Sequence, residues 1–154
     1  MISQKARYAL RALLALARAD DSMMIAEIAE QEQIPRKFLE QILLDLKHQG
    51  IVASRRGRRG GYGLLMPPDQ ITFGRILRIV DGPIAPLPCL SRIAYRRCTD
   101  CKSELSCEIR RVFARVAESA RDVLDRTTVA DAIGHGRTGA AGDEDEHAPA
   151  RTRA

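Results

Sequence analysis

The chain has 154 residues, a length typical of one domain or of one small domain with appendages. Tryptophan is absent and other aromatics are scarce, while alanine, leucine, isoleucine and valine are abundant, which favours a helical protein. An apolar run near the start is interrupted by Arg7, Arg11 and Arg18, unlike a secretory leader or a membrane span. We therefore expect a cytoplasmic protein without membrane contact, whose net charge of +5 is unevenly distributed.

Four helices are predicted in the N-terminal half, where apolar residues repeat at helical spacing over 5–17, 25–33, 35–50 and 72–82. Pro35 suits the first turn of the third helix, because the N–H that proline lacks would have no partner there. Gly50 suits the end of that helix, and Thr72 can cap the fourth. The third helix is predicted to bury a stripe of five residues, Phe38, Leu39, Ile42, Leu43 and Leu46.

A glycine-rich, basic hairpin is predicted between the third and fourth helices. Residues 51–54 and 62–66 have strand character, and the tip between them, RRGRRGG, combines arginines with glycines that permit a tight turn. Three helices followed by such a hairpin is the element order of a winged helix-turn-helix. We therefore predict a mainly α fold in which residues 1–82 form a winged helix-turn-helix DNA-binding domain.

The basic segment 36–60 contains seven Lys or Arg residues against two carboxylates. Arginines crowded at a glycine-rich tip repel one another unless an anion neutralises them, and duplex DNA supplies phosphates at regular spacing. The preceding helix carries long polar side chains suited to base edges. We therefore favour DNA binding over a merely solvated surface. The candidate DNA-binding residues are Arg36, Lys37, Glu40, Gln41, Arg55, Arg56, Arg58, Arg59 and Tyr62.

All the cysteines of the chain fall in the segment 83–107, with the spacing C-x8-C-x2-C-x5-C; they are Cys89, Cys98, Cys101 and Cys107. Thiols stay reduced in the cytoplasm, so a cluster of this kind indicates a metal or redox site in preference to structural disulfides. The spacing fits an iron–sulfur cluster and structural zinc about equally, and a thiol switch, which needs only two cysteines, ranks behind them. We therefore predict that residues 83–107 form a cluster-binding or sensor loop.

A long amphipathic helix is predicted over residues 108–133. Its apolar stripe consists of Ile109, Val112, Phe113, Val116, Ala120, Val123 and Leu124. A lone helix cannot shield such a stripe from water, so a partner subunit is expected and the segment is interpreted as the dimerisation helix of a homodimer. Residues 134–154 are rich in glycine, alanine and charge without apolar periodicity, which indicates a disordered tail.

An enzymatic role is not expected. His48 ends the presumed reading helix, and His135 and His147 lie in or near the tail. The sequence contains neither a Ser, His and Asp set nor a loop that would cradle phosphate.

The chain resembles the Rrf2 family of bacterial winged-helix regulators, which includes IscR, NsrR and RirA. The resemblance runs from SQKARYALRALLALA through IPRKFLEQILLDLKHQGIVASRRGRRGGYGL to ITFGRILRIVDG and the cysteine segment, and covers about residues 1–133. Its most specific parts are FLEQIL, the R-G-x-x-G-G-Y hairpin and cysteines beginning about eight residues after the V-D pair.

The resemblance implies a homodimer whose long helices cross, with Glu40 facing bases and Arg56 entering the minor groove. It also implies that Cys89, Cys101 and Cys107 hold an iron–sulfur cluster together with a fourth, variable ligand. Where IscR-like members have a ligand histidine this chain has Arg110, and where NsrR-like members have a ligand aspartate it has Arg7.

Cys98 is the natural replacement for the missing ligand, so an all-cysteine site is expected. A 2Fe–2S cluster is preferred to a 4Fe–4S cluster, with zinc or a thiol switch as the alternative. The predicted function is a DNA-binding repressor that senses iron, redox or nitric oxide state through this site.

Overall fold

The computed structural model describes residues 2–57 and 60–138 of the chain. The described elements are α1 (Gln4–Arg18), α2 (Ile25–Gln31), α3 (Arg36–His48), β1 (Val52–Arg55), β2 (Gly61–Leu64), α4 (Phe73–Val80), α5 (Glu108–Arg126) and α6 (Val129–Thr138). Short 3-10 turns at Pro68–Gln70 and Pro88–Leu90 lie in the connections. The mainly helical winged architecture predicted from the sequence is therefore confirmed.

Side-chain caps fix where α1 and α4 begin. Ser3 accepts a hydrogen bond from the Ala6 N–H at 3.0 Å, which satisfies one of the free donors in the first turn of α1. Thr72 does the same for the Arg75 N–H at 3.2 Å, as its position before the apolar run predicted. Gly50, just past α3, has φ of +69°, the left-handed conformation in which glycine is favoured.

The two strands form an antiparallel hairpin in the register Val52↔Leu64, Ala53↔Gly63, Ser54↔Tyr62 and Arg55↔Gly61. The hairpin is attached to the helical body at Met23, which pairs with Tyr62 through two backbone hydrogen bonds of 2.9 and 2.8 Å. The second strand therefore has a neighbour on both sides, and the wing is fixed to the chain just before α2.

Helix α1 is the centre of the hydrophobic core. Its small residues Ala6, Ala9 and Ala12 are fully buried, which lets α3, α4 and α6 approach closely. Of the stripe predicted on α3, Leu39, Ile42, Leu43 and Leu46 are buried, but Phe38 is 60% exposed and was wrongly included. Phe38 lies about 90° around the helix from the centre of the buried stripe, at its solvent-facing edge.

The long C-terminal helix predicted over 108–133 is divided in two. Helix α5 ends at Arg126, and α6 begins at Val129 after a break at Thr127 and Thr128. Thr128 forms a β-bridge with Thr72, and Val129 is fully buried in the core. The predicted tail from residue 134 begins with the last turns of α6, and residues 139–154 lie outside the described part of the chain. Within the described residues, no helix is both long enough and apolar enough to cross a bilayer.

Candidate nucleic-acid interface and thiol loop

The exposed side of α3 carries the side chains predicted to read bases. Lys37, Glu40 and Gln41 lie opposite the buried leucines and isoleucine of the same helix, and Arg36 flanks them in its first turn; all four are exposed. Arg36 Nε donates to Glu40 Oε1 at 3.1 Å, a pair at helical i, i+4 spacing. The face therefore presents amide, carboxylate and cationic groups, which are the groups that hydrogen-bond base edges and phosphates.

The side-chain amide of Gln41 contacts a half-buried ion pair between α1 and α3. Its Nε2 donates to Asp45 Oδ1 at 2.8 Å, and Lys5 Nζ in α1 donates to Asp45 Oδ2 at 2.8 Å. These hydrogen bonds, first from Lys5 and then from Gln41, hold the pKa of Asp45 below its ordinary value. Neither Lys5 nor Asp45 was predicted as a site residue. The i, i+4 spacing of Gln41 and Asp45 could have predicted their contact from the sequence. Lys5 contacts Asp45 only because α1 packs on α3.

The wing places Arg55 and Arg56 at its exposed tip, with Tyr62 half-buried on the returning strand. Lys47 Nζ, in the last turn of α3, donates to Ser54 Oγ in β1 at 2.6 Å, so the hairpin is tied to the reading helix. Arg58 and Arg59 lie outside the described residues. The structure leaves the DNA-binding roles of all these residues as predictions.

Gly61 allows the wing to approach the backbone of Met23. Its φ is +147°, and a Cβ at this position would overlap the Met23 carbonyl oxygen. Gly61→Ala is therefore expected to force the hairpin away and lower the free energy of unfolding by about 1–3 kcal/mol, measured by denaturant titration. Gly63→Ala is the matched control, because the nearest atom to its new Cβ, Ser22 Cβ, is 4.0 Å away. Equal effects from the two substitutions would contradict this account of the wing.

The four candidate ligand cysteines lie in one loop, as free thiols in two interacting pairs. Cys89 is buried and interacts with Cys98, and Cys101 interacts with Cys107. The Cys101 N–H donates to the Cys98 carbonyl oxygen at 3.4 Å, which links the pairs. Burial, followed by the adjacent thiol of each pair, raises the pKa of Cys98 and of Cys101. In the described part of the chain, no three His, Cys, Asp or Glu side chains converge as a metal site would require.

Polar contacts connect the thiol loop to the start of α5. Cys107 is the N-cap of α5, and its Sγ accepts from the Arg110 N–H at 3.4 Å. Arg97 donates to the carbonyl oxygens of Cys101 and Lys102 at 3.1 and 3.3 Å. Arg110 Nε is buried without a hydrogen bond within the described residues; Glu104 Oε2 lies 3.8 Å away.

The outer face of α5 is apolar and exposed in the single chain. Val112 and Val116 are 60% and 53% exposed, and Ile109, Phe113 and Val123 continue the same stripe. This is the stripe predicted from the sequence. Ala117, about 100° around the helix from the stripe, is the one fully buried residue of α5.

A bidentate ion pair joins α5 to the helical domain. Arg78 in α4 donates from both terminal nitrogens to the two oxygens of Asp125, each at 2.7 Å. Arg78 holds the pKa of Asp125 below its usual value. Gly74 leaves room for this contact, since a Cβ there would overlap Asp125. Helix α5, the predicted dimerisation helix, is therefore connected to α4, the last helix of the predicted DNA-binding domain.

A family model described as Rrf2, iron-dependent transcriptional regulator, matches residues 2–135. The chain belongs to the Rrf2 family. It is 50% identical over 145 residues to an rrf2-like HTH-type transcriptional regulator of Rhodobacter capsulatus, covering 91% of this chain and 97% of that protein. These matches make the chain a transcriptional regulator and not an enzyme.

Solved structures of other Rrf2 regulators share the fold. CymR of B. subtilis, described as its global cysteine regulator, superposes with a TM-score of 0.73 at 31% identity, covering 88% of this chain and 97% of that one. IscR of T. potens gives a TM-score of 0.70 at 25% identity, covering 94% and 93%. The family and winged-helix fold predicted from the sequence are thus confirmed, while the sensed signal is not determined by these similarities.

Proposed function

We propose that this Rrf2-family regulator is a cytoplasmic homodimeric repressor that binds a duplex DNA operator and senses iron, redox or nitric oxide state through an iron–sulfur cluster. The observation that carries the DNA-binding part is the combination of an uncovered polar face on α3 with an exposed arginine tip on the adjacent hairpin. A reading helix in the major groove and a cationic wing beside it would supply base contacts and phosphate contacts respectively.

Arg56→Ala tests the wing. Loss of one cationic contact is expected to weaken duplex binding and to reduce the slope of log affinity against log salt by about one unit. Fluorescence anisotropy with a labelled duplex, taken across a range of salt concentrations, measures both quantities.

Arg126→Ala is the control for the wing variant. Arg126 is also exposed, but it pairs with Asp122 near the end of α5, far along the chain from the wing. Its removal is expected to leave the slope unchanged. If both variants gave the same slope of log affinity against log salt, the wing would not be part of the DNA interface. A wild-type chain without salt-sensitive affinity for duplex DNA would overturn the DNA-binding function.

The exposed stripe on α5 supports the homodimer. Five large apolar side chains along one helix face would be stabilised by burial against a second copy, at roughly 25 cal/mol for each Å² of apolar surface removed from water. A two-fold dimer places two reading helices against successive turns of the duplex, so operator affinity depends on their separation.

Four cysteine thiols in one loop suit the ligand chemistry of an iron–sulfur cluster, and they would have to move together to hold one, because no three of them converge in the described residues. A 2Fe–2S core takes two thiolates at each iron, and the thiols lie as two linked pairs, Cys89 with Cys98 and Cys101 with Cys107. Cys107 Sγ lies at the N-terminus of α5, where it accepts the backbone N–H of Arg110, and this end of a helix favours negative charge. We propose all four cysteines as ligands. When bound, such a cluster supplies a centre sensitive to oxidants, nitric oxide and iron supply.

Contacts within the chain would transmit a change at the cluster site to the DNA-binding domains. With the four sulfur atoms held together, residues 89–107 are tied to the first turn of α5, because Cys107 caps that helix. Release of the sulfur atoms would free the loop from the start of α5. Because α5 is joined to α4 through the ion pair of Arg78 and Asp125, a movement of α5 would reach the DNA-binding domain. A change at the loop can therefore alter the placement of the two DNA-binding domains, which is a two-state response to a local chemical event.

A thiol switch is the second candidate, because the thiols interact in pairs and a structural neighbour, CymR, is described as a cysteine regulator. The raised pKa of Cys98 and Cys101 disfavours the thiolate form that both disulfide chemistry and iron ligation use, so it does not separate the two candidates. Zinc requires four ligands about one ion, whereas the thiols lie as two pairs, Cys89 with Cys98 and Cys101 with Cys107, which suits two irons better.

A further inference from the structure

The side-chain amide of Gln41 is oriented by a chain of hydrogen bonds that begins in another helix. Gln41 Nε2 donates to Asp45 Oδ1 at 2.8 Å, one turn further along α3. The second oxygen of the same carboxylate accepts from Lys5 Nζ at 2.8 Å. Gln41 is exposed, whereas Asp45 and Lys5 are half-buried between α1 and α3. The reading face of α3 is thus connected to the first turns of α1.

A carboxylate determines which way a neighbouring amide points. An ionised carboxylate has only acceptor atoms, so Gln41 must turn its NH2 group toward Asp45 and its carbonyl oxygen away. Asp45 is ionised near neutral pH, as carboxyl groups ordinarily are, and the hydrogen bond from Lys5, the main cause of its lowered pKa, further favours that form. The outward surface of Gln41 is therefore the carbonyl oxygen together with the second N–H of the amide.

We infer that Lys5 and Asp45 are positioning residues that fix the Gln41 amide and thereby set the base preference of α3. The inference rests on the proposed DNA-binding function. An outward oxygen with one N–H beside it matches the major-groove edge of adenine, which offers the N6 donor and the N7 acceptor. An amide free to turn over would instead present two donors, which suit the O6 and N7 acceptors of guanine. The network therefore selects adenine and disfavours guanine.

The test uses the full-length protein and duplexes that it selects from a random library. The base pair read by Gln41 is identified as the position at which Gln41→Ala loses its preference. Wild type, Asp45→Ala and Lys5→Met are then compared by anisotropy on four duplexes that differ only at that pair. Asp45→Ala is expected to reduce discrimination between adenine and guanine by about tenfold, nearly as much as Gln41→Ala. Lys5→Met is expected to have a smaller effect in the same direction.

Asp69→Ala is the matched control, because it removes an exposed carboxylate of the same domain without touching the network. It is expected to raise affinity for all four duplexes equally and to leave discrimination unchanged. A thermal melt of each variant reports any loss of folded protein, which would weaken binding to all four duplexes alike.

Two failures of the experiment have different meanings. Wild-type discrimination retained in Asp45→Ala, in a protein that binds DNA selectively, would overturn the positioning role and leave the proposed function intact. A wild-type protein that selects no duplex would overturn the proposed function, and the inference with it.

Discussion

Val116→Glu is expected to convert the homodimer into monomers and to weaken operator binding by about 10² to 10⁴-fold. Val116 lies in the middle of the exposed stripe on α5 and is 53% exposed in the single chain. In a dimer it would be desolvated against the partner helix, where an unpaired carboxylate costs several kcal/mol. Each monomer would then engage one half-site alone and lose the gain from simultaneous binding. Sedimentation velocity gives the subunit state, and anisotropy gives the affinity.

Arg111→Gln is the control for this prediction. It makes the same change of one charge unit on the same helix, but Arg111 lies on the side of α5 away from the apolar stripe. It is expected to remain dimeric and to bind the operator with little change. A Val116→Glu protein that sediments as a dimer would place the subunit interface elsewhere on the molecule.

The elements that the sequence predicted well are those determined by local pattern. Helical periodicity located α1 to α4, the Thr72 cap and the left-handed Gly50 are as expected, and the hairpin lies where glycines interrupt the basic run. Each of these depends on residues within a few positions of one another. The exposed stripe on α5 is of the same kind, since a 3.6-residue repeat identifies an apolar face without saying what covers it.

Features that depend on contacts distant in sequence were missed. Helix α5 stops at Arg126 because Thr128 pairs with Thr72 and Val129 enters the core, and neither contact has a local signature. Phe38 was assigned to the core because hydrophobicity alone does not distinguish the edge of a stripe from its centre. The pairing of the thiols and the contact from Lys5 to Asp45 likewise depend on how the loop and α1 pack.

Cys98→Ser is expected to abolish cluster binding as completely as Cys101→Ser. The resemblance to cluster-binding regulators implied three cysteines, whereas in this chain Cys98 lies against the buried thiol of Cys89. If each iron takes one thiol pair, loss of either member leaves an iron with a single protein thiolate, and the serine hydroxyl remains protonated near neutral pH. Anaerobically purified wild type should be coloured, with iron and sulfide in a ratio of about two each per chain. Both variants should be colourless.

Thr99→Ser provides the comparison, since it is a conservative change beside Cys98 in the exposed part of the same loop and leaves all four thiols in place. Its iron content and visible absorbance are expected to equal those of the wild type. A Cys98→Ser protein with the full spectrum would show that another group supplies the fourth ligand. A colourless wild type holding one zinc per chain would favour the zinc alternative. A metal-free wild type in which peroxide joins Cys89 to Cys98 and Cys101 to Cys107 would favour the thiol switch, because in that case the two pairs would serve disulfide chemistry rather than two irons.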